Sequence, residues 1–312
     1  MPRSYTSTEL LASIRQRSFT AGASRDFQDS DVYRLLNELA TTYLLKLIQK
    51  RSTNYLVETV DLTVTAGVPS YPVPSVATGG ALRAITLLLA GIPYPLVEMS
   101  LPQAVATNLA PMSTQFPTGY YMMGPNIVLF PTQTLAGILR IHYHRRPSVI
   151  VAPSACVQIT SLPGGAAAGY YRIGFTGAAP TGYVNAAAVD VVSNIPNFYR
   201  WATNVALSNV TGTTMDIPGT QPANLAVGDW ICLYDTAPVV TDSPAEVIDC
   251  LCERVATDMM KAKGSTESFE RMLKGLEMKE ADCGPLIATR NTGNMRKISA
   301  FPDNGAWPWF GY

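Results

Sequence analysis

No stretch of about eighteen consecutive apolar residues occurs in these 312 residues, so no segment reads as a transmembrane helix. The opening Met1-Pro2-Arg3-Ser4-Tyr5 lacks the apolar core of a signal peptide. A basic surplus is missing too, because 23 Lys plus Arg balance 23 Asp plus Glu. Proteins that grip nucleic acid through its phosphates usually carry such a surplus, whereas a channel that lets DNA pass has no need of one. Histidine occurs only twice, at His142 and His144, which leaves few placements for a Ser-His-Asp site. Neither Gly164-Gly165 nor the stretch from Gly169 to Gly182 offers the Lys and following Ser or Thr of a phosphate loop. The five cysteines, Cys156, Cys232, Cys250, Cys252 and Cys283, are an odd, scattered set without zinc spacing, as expected of reduced cytosolic thiols.

What is present is a chain of three textures. Hydrophobic residues make up 47% and charged residues 15%, too apolar for disorder and long enough for one or two proper cores. The middle is Gly, Ala, Thr, Val and Pro, with two basic and four acidic residues between Cys156 and Val240. The last seventy residues hold nine basic and ten acidic ones.

Helix signals sit at both ends. Ser7-Thr8-Glu9 opens a run through Leu10, Leu11 and Ile14. Asp29-Ser30-Asp31 precedes Val32, Leu35, Leu36, Leu39, Tyr43 and Leu47, an apolar stripe at spacings of three and four closed by Lys46, Lys50 and Arg51. Ser243-Pro244-Ala245-Glu246 has capping-box spacing with Pro at the first helical position. Val247, Leu251, Val255, Met259 and Met260 follow, and Gly264 ends that stripe. A second C-terminal helix carries Phe269, Met272, Leu273 and Leu276, with Gly284-Pro285 expected to break it.

Between the helices lie strands. Leu56 to Val64 alternates, and Ala90-Gly91-Ile92-Pro93 reads as a hairpin between Leu82–Leu89 and Leu96–Met99. Ser100-Leu101-Pro102-Gln103 predicts a short helix to about Asn108. Further strands are expected at Tyr120–Met123, Ile127–Phe130 and Ile138–His144, the last turning Leu139, Ile141 and Tyr143 to one face. From about 150 to 241, short apolar runs at Val157–Ile159, Tyr171–Ile173, Val189–Val192, Met215–Ile217 and Trp230–Tyr234 suggest a small barrel or sandwich, with a tight turn at Gly228-Asp229.

One helical hairpin makes a poor core, so the two distant pairs are expected to pack together. The expected fold class is α+β. Residues 1–55 and 243–288 form a discontinuous four-helix bundle, and residues 56–149 an antiparallel β meander. Residues 150–242 form an inserted small β-barrel or sandwich, and 289–312 an extended docking arm.

Several patterns in fixed order carry a resemblance. They are Tyr71-Pro72-Val73-Pro74, then Gly91-Ile92-Pro93-Tyr94-Pro95-Leu96, then Gly119-Tyr120-Tyr121 before Asn126-Ile127-Val128-Leu129-Phe130-Pro131. Gly137-Ile138-Leu139-Arg140-Ile141, Tyr143-His144-Arg145-Arg146-Pro147 and a helical pair from Ser243-Pro244 complete the series. Over roughly residues 5–147 and 243–300 the chain resembles the head-to-tail adaptor (connector, tail accessory) proteins of tailed bacteriophages. The resemblance implies a structural virion protein with no enzymatic activity, made in the host cytoplasm and placed at the head–tail junction. It implies a homo-dodecameric ring beneath the portal protein that extends the DNA channel and meets a tail nozzle or hub protein. It also implies a C-terminal segment, here about Arg290 to Tyr312, that reaches the portal. Genomic DNA would pass through without sequence-specific binding, and no membrane, cofactor or metal is implied.

The C-terminal segment has its own physical signature. Trp307, Trp309, Phe310 and Tyr312 place four rings in six residues stiffened by Pro308. Exposed, they would offer apolar surface on the order of several hundred Å², the size that marks an interaction site. Buried aromatic anchors contribute about 2 kcal/mol or more each at interfaces. The partner-docking residues expected are therefore Trp307, Trp309, Phe310 and Tyr312, with Arg290, Arg296 and Lys297 facing an acidic partner or DNA; the bland alternatives are fold-back and solvated charge. In the insert, Tyr170, Tyr171, Tyr183, Phe198, Tyr199 and Trp201 either form a core or meet a tail fibre. That makes a tail-fibre or receptor-attachment protein the runner-up. A hydrolase is third, since Glu98 has no evident carboxylate partner. His142 and His144 share a strand face but lack further ligands at metal spacing. Cys250 and Cys252 point about 200° apart on a helix and cannot clamp one ion.

Overall fold

The computed structural model describes residues 6–20, 27–51, 56–100, 117–132, 136–194, 200–241, 243, 245–264 and 266–291. Helix α1 spans Ser7–Arg17 and is capped one residue earlier than its polar run suggests. Thr6 Oγ1 accepts from Glu9 N at 3.4 Å, while the Glu9 carboxylate accepts from Thr6 N at 2.8 Å. This reciprocal pair satisfies two N–H groups that a helix start would otherwise leave open.

The next helix runs unbroken as α2 (Asp29–Leu39), a π-turn (Ala40–Leu44) and α3 (Leu45–Arg51). The π-turn inserts one residue and so rotates the apolar stripe. Val32, Leu36 and Leu39 face inward before it, and Leu44 and Ile48 become the fully buried pair after it, while Tyr43 is only half-buried. Thr41 and Thr42 donate their hydroxyls to the Glu38 carbonyl at 2.9 and 2.8 Å, engaging an acceptor beside the widened turn.

Helix α4 (Ala245–Ala262) starts where expected, and Gly264 at φ +75 ends it, its N–H meeting the Lys261 carbonyl at 3.0 Å. Helix α5 (Thr266–Asn291) departs from expectation by continuing through Gly284-Pro285. A proline removes one backward hydrogen bond but leaves the turns after it free to form. The core residue Cys283 already anchors the helix just before that point. The proposed arm, 289–312, is therefore helical as far as Asn291.

Helices from the two ends of the chain share one interior. Leu10, Ile14, Val32, Leu36, Leu44 and Ile48 pack in a single cluster with Val247, Leu251, Val255, Met259 and Cys283. Arg17 ties the same ends at the surface, 3.1 Å from Asp249 and 3.0 Å from Glu253. Tyr43 donates to Glu280 at 2.7 Å.

The first sheet has seven strands: β1 (Val57–Val64), β2 (Ser70–Pro72), β3 (Ala77–Leu89), β4 (Ile92–Glu98), β5 (Gly119–Met123), β6 (Asn126–Phe130) and β7 (Gly137–Arg145). Their order is β1-β7-β3-β4-β5-β6-β2, and β4 pairs β5 in parallel. This corrects the antiparallel meander. Parallel neighbours need a crossover of a dozen or more residues, and the connection between Glu98 and Gly119 has that length. Most of that connection, with the short helix expected after Ser100, lies outside the described residues. Ala90 and Gly91, both at positive φ, make the two-residue turn of the β3–β4 hairpin, with Leu89 opposite Ile92. Leu139, Ile141 and Tyr143 of β7 are buried as the alternation predicts, against Ile85 and Leu87 of β3.

After the two-residue β8 (Val149–Ile150) comes a second sheet of six antiparallel strands. They are β9 (Val157–Ser161), β10 (Tyr170–Phe175), β11 (Ala188–Val192), β12 (Arg200–Ala206), β13 (Thr214–Pro218) and β14 (Trp230–Leu233). In the order β12-β11-β14-β9-β10-β13 the sheet curls, and an isolated bridge from Ser208, just beyond β12, to Asp216 of β13 draws its edges toward each other. It is a half-barrel. The unforeseen strand is β12, which is half-exposed, shifts register against β11 and holds Asn204 at positive φ, so it never shows clean alternation. Strand β15 (Thr236–Ala237) pairs β8 in parallel and leads the chain back to the helices.

If the two ends share one core, truncating either should cost alike. Leu36→Ala and Leu251→Ala are each expected to lower stability by about 2–5 kcal/mol in denaturant unfolding followed by helical circular dichroism. A loss from one variant without the other would contradict the shared interior.

Candidate assembly surfaces

Alternation along β7 does not stop at Tyr143. Two residues on, Arg145 also turns inward and is only 2% exposed. Its guanidinium donates to both Glu58 oxygens at 3.2 and 3.0 Å and to Asp190 at 3.2 Å, lies 3.6 Å from Asp235, and sits 5.9 Å over the Tyr234 ring. Next to it Arg146 donates twice to Asp235, at 3.1 and 2.6 Å. Arg200 of β12 donates to Ser148 at 2.7 Å. Glu58 belongs to the first sheet, while Asp190 and Asp235 belong to the insert, so these arginines form the joint between the two β regions. The sequence held both signals: the period-two pattern reaching Arg145, and Asp190 as a lone acid inside Val189–Val192.

On the outer face of the first sheet Arg140 forms a two-pronged pair with Asp61, 2.8 Å in each prong, and His142 meets Thr59 Oγ1 at 2.8 Å. Beside them the β3–β4 hairpin exposes Ile92 and Val97, the latter at 67%. A cleft of about 400 Å³ opens at the π-turn, lined by Thr42, Tyr43, Lys46, Lys50, Arg254 and Glu280. Three cations against one carboxylate give this cleft a positive rim. In the insert, Asp216 is held below the usual carboxylate range by Arg172, which donates at 2.6 and 2.8 Å.

The insert's aromatics largely serve its core. Tyr171 and Tyr183 are buried, Tyr183 donating to the Ile231 carbonyl at 2.9 Å, and Trp201 Nε1 donates to Asp229 at 3.0 Å. Tyr170 is exposed, while Phe198 and Tyr199 lie outside the described residues. Trp307, Trp309, Phe310, Tyr312, Arg296 and Lys297 lie outside them too. Arg290 falls in the last turn of α5, its side chain not among those described. Among the described residues no three His, Cys, Asp or Glu side chains are placed to hold a metal ion, and no helix is long and apolar enough to cross a membrane.

Residues 5–173 match the family model described as SU10 adaptor protein, a phage adaptor family, over more than half of the chain. The chain belongs to the SU10 adaptor protein family. No curated protein matches its sequence. Membership of this adaptor family points to a structural role in the virion rather than to catalysis. The matched span takes in α1 to α3, the whole first sheet and the start of the insert as far as Ile173 in β10. Beyond it lie most of the half-barrel and both C-terminal helices of this SU10 adaptor.

Removing the joint's central cation takes the buried guanidinium away from Glu58 and Asp190, while Asp235 keeps Arg146. Arg145→Met should destabilise the adaptor by about 3–5 kcal/mol in chemical denaturation. Arg140→Met, at an exposed pair, should leave the transition nearly unmoved. Equal effects from the two variants would refute this ranking.

A depressed carboxyl contributes stability that is present above its unfolded pKa, about 3.9, and lost as pH falls through the folded value. Asp216→Asn should therefore flatten the decline in stability below about pH 4, as read by unfolding at stepped pH.

Proposed function

We propose that this SU10 adaptor is a head-to-tail adaptor. In this reading twelve copies form a ring under the portal protein, extend the DNA channel and present a platform to a tail nozzle or hub protein. The observation that carries it is the family match over residues 5–173. Three physical features support it. Helices from both ends of the chain share one apolar core, which would serve as the body for lateral contact. The buried arginine joint makes those β regions rigid with respect to each other, as a building block under load requires. Formal neutrality suits a conduit, since tight phosphate binding would hold the genome back.

Docking falls to the aromatic segment. Trp307, Trp309, Phe310 and Tyr312 supply anchors for pockets on the portal, with Arg290, Arg296 and Lys297 toward acidic partner surface. The tail-fibre alternative rests on exposed rings in the insert, and Tyr171, Tyr183 and Trp201 are instead engaged internally. The virion's head–tail junction is the location that follows.

Purified full-length protein mixed with the portal protein of the same phage should co-sediment and give twelvefold rings in electron micrographs. Deleting residues 307–312 should lower portal affinity at least tenfold while far-ultraviolet circular dichroism stays unchanged. Undiminished binding would remove the aromatic segment from the mechanism, and the absence of rings with and without portal would overturn the adaptor reading.

A further inference from the structure

Scattered in sequence, four of the five cysteines come together in two pairs in space. Cys250 Sγ in α4 lies 3.1 Å from Cys283 Sγ in α5, and the two residues are 0% and 8% exposed. That is closer than the roughly 3.5–4.0 Å at which non-bonded carbon atoms rest. Cys252, about 200° round α4 from Cys250, adjoins Ser13 and Arg17 instead. All five thiols are free in this structure.

We propose that Cys250 and Cys283 are a modification site, closing into an intramolecular disulfide that ties α4 to α5 when the protein passes from a reducing cytoplasm to oxidising surroundings. That passage rests on the virion role proposed above; the pairing rests on the thiol geometry alone. The chemistry is exchange with a small-molecule disulfide such as oxidised glutathione. The thiolate of Cys283, the more accessible partner, attacks one glutathione sulfur and expels a glutathione thiolate. The Cys250 thiolate then attacks the Cys283 sulfur and expels the second. Two protein thiols are oxidised, one external disulfide is reduced to two thiols, and each protein thiol gives up its proton to solvent.

Burial pushes the Cys250 thiol well above its ordinary range, so closure is slow and waits for α5 to loosen. Once made, the bond closes a segment whose ends are 33 positions apart, a loop long enough to restrict the unfolded chain appreciably. It also anchors the root of the C-terminal segment to the core.

A second pair is carried by a different observation. Across β9 and β14, Ile231 stands opposite Val157, and one further step of that antiparallel register sets Cys232 against Cys156. Both are buried in one apolar cluster, and the same chemistry applies to them.

The test takes reduced, full-length protein and incubates it with oxidised glutathione, then maps disulfides by peptide mass spectrometry. Expected are a peptide linking Cys250 to Cys283, two hydrogen atoms lighter than its reduced parts, and a melting temperature raised by about 5–10 °C. Cys283→Ser should abolish that peptide and its share of the rise, while a Cys156–Cys232 peptide persists as the separate report on the second pair. Exhaustive oxidation that leaves Cys250 and Cys283 alkylatable, or glutathione retained on Cys283, would overturn the proposal. Because the assay needs neither portal nor rings, failure of the adaptor reading leaves its result intact.

Discussion

Neither end of this chain can bury its own apolar stripe. Two short helices that meet only each other leave one face of each in water, and here the missing partner for Leu36, Leu44 and Ile48 is some two hundred residues away, in Leu251, Val255 and Met259. That constraint governs the rest. With the ends joined, everything between them must leave the helical core and return, and the short parallel pair of β8 and β15 is where the outgoing and returning chain meet. The contact β regions then have a fixed base, although their own cores, one around Leu87 and Ile141 and one around Ile173 and Val191, are separate from it.

Separate cores would allow the two β regions to swing, and apolar packing alone does not prescribe an angle between them. The Arg145 joint does. A buried guanidinium facing Glu58 from one sheet and Asp190 from the other accepts few geometries, because any displacement leaves a desolvated charge without its partner. Such networks contribute little net stability compared with an apolar replacement that fits. Their effect here is directional: they make one relative orientation much better than its neighbours. For the ring subunit proposed above, a fixed orientation would matter more than an extra increment of stability.

What was legible in the sequence follows from the range of the interaction concerned. The stripe from Val32 to Leu39, the stop at Gly264, the Ala90-Gly91 turn and the inward set Leu139, Ile141 and Tyr143 all depend on residues within a few positions of each other. The shared helical core was also legible, since two half-buried faces imply a common partner. The π-turn was not, because Thr41 and Thr42 suit an ordinary helix and the inserted residue shows only as a shifted burial phase at Leu44 and Ile48. Strand β12 escaped because an exposed, bulged edge strand needs no alternation. The parallel pairing of β4 with β5 and the meeting of Cys250 with Cys283 depend on contacts that no local pattern encodes. Among the candidate docking residues only Arg290 lies within a described element; the aromatic run was legible as composition, and its role remains a proposal.

The border of the family match adds a last physical point. It ends at Ile173, inside the half-barrel, yet the stripe carried by the matched helices is covered by α4 and α5, beyond that border. Residues 5–173 alone would present Leu10, Ile14, Leu36, Leu44 and Ile48 to water, a penalty of about 1.5–3 kcal/mol for each side chain. Arg145 would also lose both Asp190 and Asp235. The matched region therefore cannot be a folding unit in this chain. A sequence signature records where residues recur in register among relatives, whereas stability is decided by which faces are covered. In this adaptor the covering helices and two of the joint's three carboxylates come from the unmatched half.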